Sequence, residues 1–73
     1  MFNRKALAAA IRQRRLQLNY TQDYIAYKLN MSQNAYSKVE LGFTAVTLDR
    51  FILLCDAMEI DMRDMLKPVL YVA

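Results

Sequence analysis

The chain has 73 residues, of which 56% are hydrophobic, with a net charge of +3 and a pI near 9.2. This length and composition suit one folded domain with a modest core and favour it over a disordered chain. A single cysteine and no histidine exclude an internal disulfide, a zinc site and a histidine-dependent catalytic triad, so we expect no metal and no cofactor.

Other classes are excluded by pattern. No apolar run reaches the roughly 18 residues needed to span a bilayer, and the N-terminal stretch FNRKALAAAIRQRR is too polar for a signal peptide. We therefore expect a cytoplasmic protein without a membrane segment. The sequence has no paired carboxylates, glycine-rich phosphate loop or activated nucleophile, so we expect no enzyme. One glycine, one proline and no alternating β-branched run predict an all-α fold.

The first predicted helix begins after Asn3, a good N-cap residue, and runs to about Leu18. Its inward face carries five residues at helical spacing: Leu7, Ala8, Ile11, Arg15 and Leu18. Because Arg15 lies within this apolar face, its guanidinium needs a buried carboxylate partner.

The second and third predicted helices are short and almost contiguous. Thr21 caps the second helix, which runs to about Asn30 with Ile25, Ala26 and Leu29 inward. Ser32 caps the third, which runs to about Leu41 with Tyr36 and Val39 inward. Asn30 and Met31 form the turn, since asparagine tolerates the left-handed conformation that closes a helix. This is the helix-turn-helix unit that lays its second helix in the DNA major groove.

The outward face of the third helix carries four polar residues: Gln33, Asn34, Ser37 and Lys38. Amide and ammonium groups can read base edges, although a polar helix face is usually only solvated. The preceding capped helix and tight turn favour base reading. Glu40 lies near the end of the same helix, where a carboxylate opposes the helix dipole, so we predict that it pairs with Arg15.

A second stripe, of Tyr20, Tyr24, Tyr27 and Met31, borders the second helix. A widened core is favoured over a partner surface, because tyrosine buries its ring while its hydroxyl stays wet.

Gly42 stops the third helix, a loop covers 43–46, and Thr47 caps a fourth helix. The predicted core positions of that helix are Leu48, Phe51, Ile52, Cys55 and Met58, with Leu53 and Leu54 widening the apolar arc. Cys55 is interpreted as a buried hydrophobe and not as a reactive thiol.

Asp61 caps a last helix, which is predicted to end at Leu66 because Lys67 and Pro68 follow. The sequence thus predicts a helix-turn-helix domain at 1–67 and an apolar tail at 68–73. Such a tail either folds back over the bundle or meets its copy in a second subunit. We favour the second alternative, in which the dimerisation residues are Val69, Leu70, Tyr71 and Val72.

These residues together resemble a known family. The pattern comprises Arg15, Thr21-Gln22, Ile25-Ala26, Leu29, Ser32-Gln33, Tyr36, Val39-Glu40, Gly42, a leucine-rich fourth helix and Ile60-Asp61. It resembles the phage repressor and Cro-like (XRE family) helix-turn-helix domain from about Leu7 to Leu66. The resemblance implies a five-helix, lambda-repressor-like bundle that binds double-stranded operator DNA as a homodimer.

The resemblance also implies residue roles. Gln22 would bond a DNA phosphate, Thr44 would lie in a loop along the backbone, and Arg15 and Glu40 would form an internal salt bridge. The DNA-binding positions are Thr21, Gln22, Ser32, Gln33, Asn34, Ser37, Lys38 and Thr44. The chain departs from the family where Asn30 replaces glycine, and where Leu41 and Phe43 remove expected phosphate contacts.

The leading hypothesis is a sequence-specific DNA-binding transcriptional regulator, either repressor-like or an antitoxin with a toxin partner. The alternative is a protein-interaction module on the same fold without DNA binding. Leu41, Phe43, the tyrosine stripe and the apolar tail favour that alternative.

Overall fold

A computed structural model describes residues 3–70, which form five α-helices and no strand. In chain order they are α1 (Arg4–Gln17), α2 (Gln22–Lys28), α3 (Gln33–Glu40), α4 (Leu48–Ala57) and α5 (Met62–Leu70). The predicted all-α fold is confirmed. Within this part of the chain, no helix combines the length and hydrophobicity needed to cross a bilayer.

The helices begin at the predicted capping residues. Four side chains each accept a hydrogen bond from the backbone N–H three residues later, at 3.0 to 3.3 Å, namely Asn3, Thr21, Ser32 and Thr47. Asp61 Oδ1 likewise accepts from the backbone N–H of Arg63 at 2.8 Å, at the start of α5. Each bond satisfies a donor that has no partner inside its helix.

The turn between α2 and α3 has the predicted left-handed residue. Asn30 has a φ of 56°, and the Met31 N–H donates to the Ala26 carbonyl at 2.9 Å. This bond closes α2 and lets α3 leave after only a short connection. Ala26 is buried where the two helices pack together.

We expect Asn30→Ala to lower the free energy of unfolding by about 1 kcal/mol, because alanine pays the steric cost of the left-handed conformation. Asn30→Gly, the matched variant, should be as stable as the parent, since glycine adopts this conformation freely. Urea unfolding followed by circular dichroism measures both. Equal stability of the two variants would contradict the role assigned to this turn.

The core lies where all five helices meet. α1 packs against α3 and α5, while α2 packs against α3 and α4. The residues with at most 1% exposure at its centre are Ile11, Ile25, Ala26, Tyr36, Leu54, Met58, Met65 and Val69. Cys55 is buried beside them, and burial raises the pKa of its thiol to about 11, so it stays protonated at neutral pH.

The predicted orientation of α4 is partly wrong. Phe51 and Cys55 are buried as predicted, but Leu48 and Ile52 are exposed, and so is Leu53. The apolar arc of α4 is wider than the surface the bundle offers it, and Leu54 takes the central position instead. The helix therefore presents an apolar strip to solvent.

The tyrosine stripe divides in a similar way. Tyr20 and Met31 pack against the core, as the favoured interpretation predicts. Tyr24 and Tyr27 are exposed, so for these two the widened-core interpretation is wrong. The rings of Tyr24 and Tyr20 contact each other at a tilt of 50°, with centroids 4.7 Å apart.

The predicted end of α5 is also wrong, because the helix continues through Pro68 to Leu70. Proline forgoes one hydrogen bond in the last turn, and the burial of Val69 in the core offsets that loss. Val69 is therefore not free to contact a second subunit, whereas Leu70 is exposed. Tyr71 and Val72, the other predicted dimerisation residues, lie outside residues 3–70.

Candidate nucleic-acid interface

The outward side of α3 is a polar ridge. Gln33, Asn34 and Lys38 are exposed, and Ser37 between them is half-buried. The opposite side of the helix is anchored in the protein by Tyr36 and by two other buried residues, Val39 and Glu40. The ridge therefore projects from the bundle on a helix that cannot rotate without breaking the core.

The beginnings of α2 and α3 meet at a cleft beside this ridge. Its lining includes Thr21, Ser32 and Gln33 together with Tyr24 and Tyr27. Each capping hydroxyl accepts a bond from its own helix, which leaves the hydroxyl hydrogen available as a donor. Thr44 is exposed in the loop after α3 and lines a separate pocket.

A buried ion pair joins α1 to the end of α3. Arg15 Nε donates to Glu40 Oε2 at 2.6 Å and Arg15 Nη2 donates to Glu40 Oε1 at 3.0 Å, a bidentate arrangement. The two side chains are 9% and 1% exposed. Arg15 Nη1 also donates to the Tyr20 carbonyl at 2.8 Å, which fixes the connection from α1 to α2.

Gln22 belongs to the same network. Its Nε2 donates to Glu40 Oε1 at 3.0 Å, so one carboxylate receives donors from both α1 and α2. A carboxylate only accepts hydrogen bonds, which fixes the amide with its nitrogen toward Glu40. Gln22, to which the resemblance assigns a phosphate contact, thus has one of its two side-chain hydrogens already bonded.

The charges in this network stabilise each other. Burial alone would raise the pKa of Glu40, but the donors around it, led by Arg15, lower that pKa below its ordinary value. The hydrogen bond to Glu40 raises the pKa of Arg15 despite its burial. The Tyr36 hydroxyl lies close by, without a hydrogen-bond partner among residues 3–70, and burial together with Glu40 raises its pKa.

One contact was missed in the sequence. Arg14, which is not among the predicted inward residues of the first helix, donates to the carbonyls of Met58 and Glu59 at 2.9 Å each. Glu59 has a φ of 54°, and its carboxylate accepts from the Tyr20 hydroxyl at 2.9 Å. The only sequence signal was that α4 has no basic residue in its own last turn.

Two short helices at a tight turn, the second carrying a projecting polar ridge, define a helix-turn-helix protein. The comparison with protein families agrees with this geometry: the family model described as helix-turn-helix matches residues 11–65. The chain belongs to the XRE family of helix-turn-helix proteins, which confirms the resemblance seen in the sequence. No curated protein matches the chain.

Several solved structures share the fold. The chain is similar to the clp gene regulator ClgR from Corynebacterium glutamicum, with 28% identity, a TM-score of 0.84 and coverage of 89% of this chain and 84% of that one. It is also similar to the restriction-modification controller protein C.AhdI from Aeromonas hydrophila, with 21% identity, a TM-score of 0.78 and coverage of 84% and 88%. A third is the hypothetical transcription factor NHTF from Neisseria, with 22% identity, a TM-score of 0.81 and coverage of 89% and 75%.

Family and fold together make this chain a DNA-binding regulator. They support that function over a bundle of the same fold that no longer binds DNA.

Proposed function

We propose that the protein is a sequence-specific repressor that acts by occupying operator DNA, with α3 in the major groove. The observation that carries this proposal is the exposure of Gln33, Asn34 and Lys38 on a helix whose other side is fixed in the core. A bound protein of this kind blocks access of polymerase to the promoter.

The ridge residues have distinct chemistry. The amides of Gln33 and Asn34 can each make paired hydrogen bonds to adenine, and Lys38 can reach guanine or a phosphate. Ser37 is short and lets the helix approach closely. These side chains would supply discrimination between sequences.

Backbone contacts would come from residues around the ridge. Thr21, Ser32 and Thr44 are exposed residues, and their hydroxyl groups can donate to phosphate oxygens. Gln22 would use the side-chain hydrogen that Glu40 leaves free, so its contact would have a fixed direction. Basic side chains on the surface would add the salt-dependent part of the affinity.

We further propose that the protein binds as a homodimer. The bundle measures 34 × 23 × 21 Å, so two copies arranged along its longest axis would place their α3 helices about 34 Å apart. That distance agrees with the roughly 34 Å between successive major grooves on one face of DNA. Among the predicted dimerisation residues that the structure describes, Leu70 is exposed. We further propose that the protein is cytoplasmic, because its operator DNA lies there.

Selection of bound fragments from a random duplex pool tests the function directly. We expect an enriched pair of inverted half-sites about 10 base pairs apart, because two α3 helices would enter successive major grooves. The affinity for those fragments should fall steeply as salt is raised from about 50 to 200 mM. The proposal would be refuted if no sequence were enriched and if the affinity for DNA did not change with salt concentration.

A further inference from the structure

A groove with a basic rim lies between α1 and the end of α3. We call it the basic groove and define it by Lys5, Ala9, Arg12, Leu16, Leu41 and Phe43. Its acidic neighbour, Glu40, is buried and paired with Arg15, so it does not offset the charge of the rim. The groove therefore offers apolar surface flanked by two cations.

The exposed side of α4 has the opposite charge. Its residues, which we call the acidic face, are Leu48, Asp49, Ile52, Leu53 and Asp56, and their spacing places them on one side of the helix. Arg50 lies on the other side of α4 from Leu48 and Ile52, and it borders the acidic face only at Leu53, three residues later. The acidic face therefore offers apolar surface flanked by two anions.

Within the part of one chain that the structure describes, the apolar side chains of these two surfaces stay exposed and their charged side chains form no ion pair. The six large apolar side chains of the two surfaces are between 46% and 69% exposed. The ion pairs within residues 3–70 involve none of the charged residues of the two surfaces. No residue of α4 lines the basic groove, so the complementary surfaces do not meet in a single copy.

We propose that the basic groove of one copy receives α4 of a second copy. Leu48, Ile52 and Leu53 would cover the exposed apolar groups of the groove, while Asp49 and Asp56 would approach Lys5 and Arg12. Apolar burial provides the attraction, and the opposite charges fix which surfaces meet.

This contact joins two different surfaces, so copies that use it form an open head-to-tail chain unless a rotation closes them into a dimer or a ring. We take the open chain, whose mass exceeds that of a symmetric dimer. Gln33, Asn34 and Lys38 belong to neither surface, and α3 stays free for DNA. Copies on neighbouring DNA sites would meet at a high effective concentration, so a weak contact of this kind would make their binding cooperative.

Sedimentation of the full chain without DNA tests the contact. We expect the average mass of the parent protein to keep rising with concentration up to the order of 1 mM, beyond that of a dimer. Lys5→Glu with Arg12→Glu, and separately Asp49→Lys with Asp56→Lys, should each weaken this association about tenfold or more, because like charges then face each other. An equimolar mixture of the two variants should associate again, since every groove then meets an α4 of opposite sign.

The control is Lys28→Glu with Arg63→Glu, which makes the same change in net charge as the groove reversal, away from both surfaces, and should associate like the parent. All substituted side chains are exposed, and circular dichroism checks that each variant folds. A parent protein of constant mass would overturn the proposal, and so would a mixture that fails to associate. Groove reversals that associate as the parent does would equally refute a second copy in the basic groove. Because no DNA is present in the sedimentation runs, their outcome is independent of whether operator binding holds.

Discussion

Removing either partner of the buried ion pair is expected to destabilise the protein by about 3–5 kcal/mol, because the other charge is left buried and unpaired. Glu40→Gln keeps the shape of the side chain but loses the charge that holds Arg15 at 2.6 Å. A domain of this size is stable by about 4–11 kcal/mol, at roughly 0.05–0.15 kcal/mol per residue. The single variant should therefore be partly unfolded or close to it.

The double variant Arg15→Met with Glu40→Leu should regain most of that stability, within about 1–2 kcal/mol of the parent. It removes both charges together and fills the space with apolar groups, and Gln22 can turn to solvent because it is only half-buried. Urea unfolding of the parent, of Arg15→Met alone, of Glu40→Leu alone and of the double variant gives the four values required. A double variant no more stable than the singles would show that the apolar pair does not replace the ion pair.

Asp64→Asn provides a matched control, since Asp64 pairs with Lys67 at 3.0 Å but both side chains are more than half exposed. That substitution should change stability little, because water screens the pair.

The contribution of Glu40 to the free energy of unfolding depends on pH in a definite direction. The pKa of Glu40 is lowered on folding from its ordinary value of 4.5, so its contribution is complete above that pH and is lost as the pH falls below it.

The same pair shows why part of the fold follows from sequence. Arg15 lies within an apolar helix face and Glu40 lies at the end of another helix, so each needs a residue of opposite charge. Each is the natural partner of the other. Side-chain caps and the left-handed Asn30 are local features, decided within a few residues, and the structure contains them. Interactions within a few residues therefore determine where the two helices of the DNA-binding unit begin and end, and where the chain turns between them.

Features that depend on the rest of the bundle did not follow from sequence. The spacing of Leu48, Ile52 and Leu54 allows more than one inward face for α4, and only packing against α2 and α5 decides between them. Pro68 is a strong local stop signal, but the burial of Val69 outweighs it. Arg14 meets the end of α4 through a contact 44 residues away, which no helical periodicity reveals.

For the candidate site, the exposure of the ridge followed from the helical spacing of Tyr36 and Val39. The hydrogen bond from Gln22 to Glu40 did not follow from the sequence, because it requires α2 to lie beside the end of α3. Base reading by the ridge stays a prediction, and testing it requires binding measurements on both operator and random DNA.

We expect Gln33→Ala or Asn34→Ala to weaken binding at a selected operator by about 1–3 kcal/mol and to leave binding to random duplex almost unchanged. Both side chains are exposed on α3, so their removal should not disturb folding. An amide that bonds to adenine loses those bonds only at the sequence it reads. The measurement is the ratio of operator to random affinity at one fixed salt concentration.

Two further variants separate base reading from other causes. Gln13→Ala removes an exposed amide from α1, away from the ridge, and should leave both affinities and their ratio unchanged. Thr44→Ala should weaken both affinities together, because a phosphate contact carries no sequence information. If Gln33→Ala and Asn34→Ala behaved like Thr44→Ala, lowering operator and random affinity equally, the ridge would hold the DNA backbone and some other surface would read the bases.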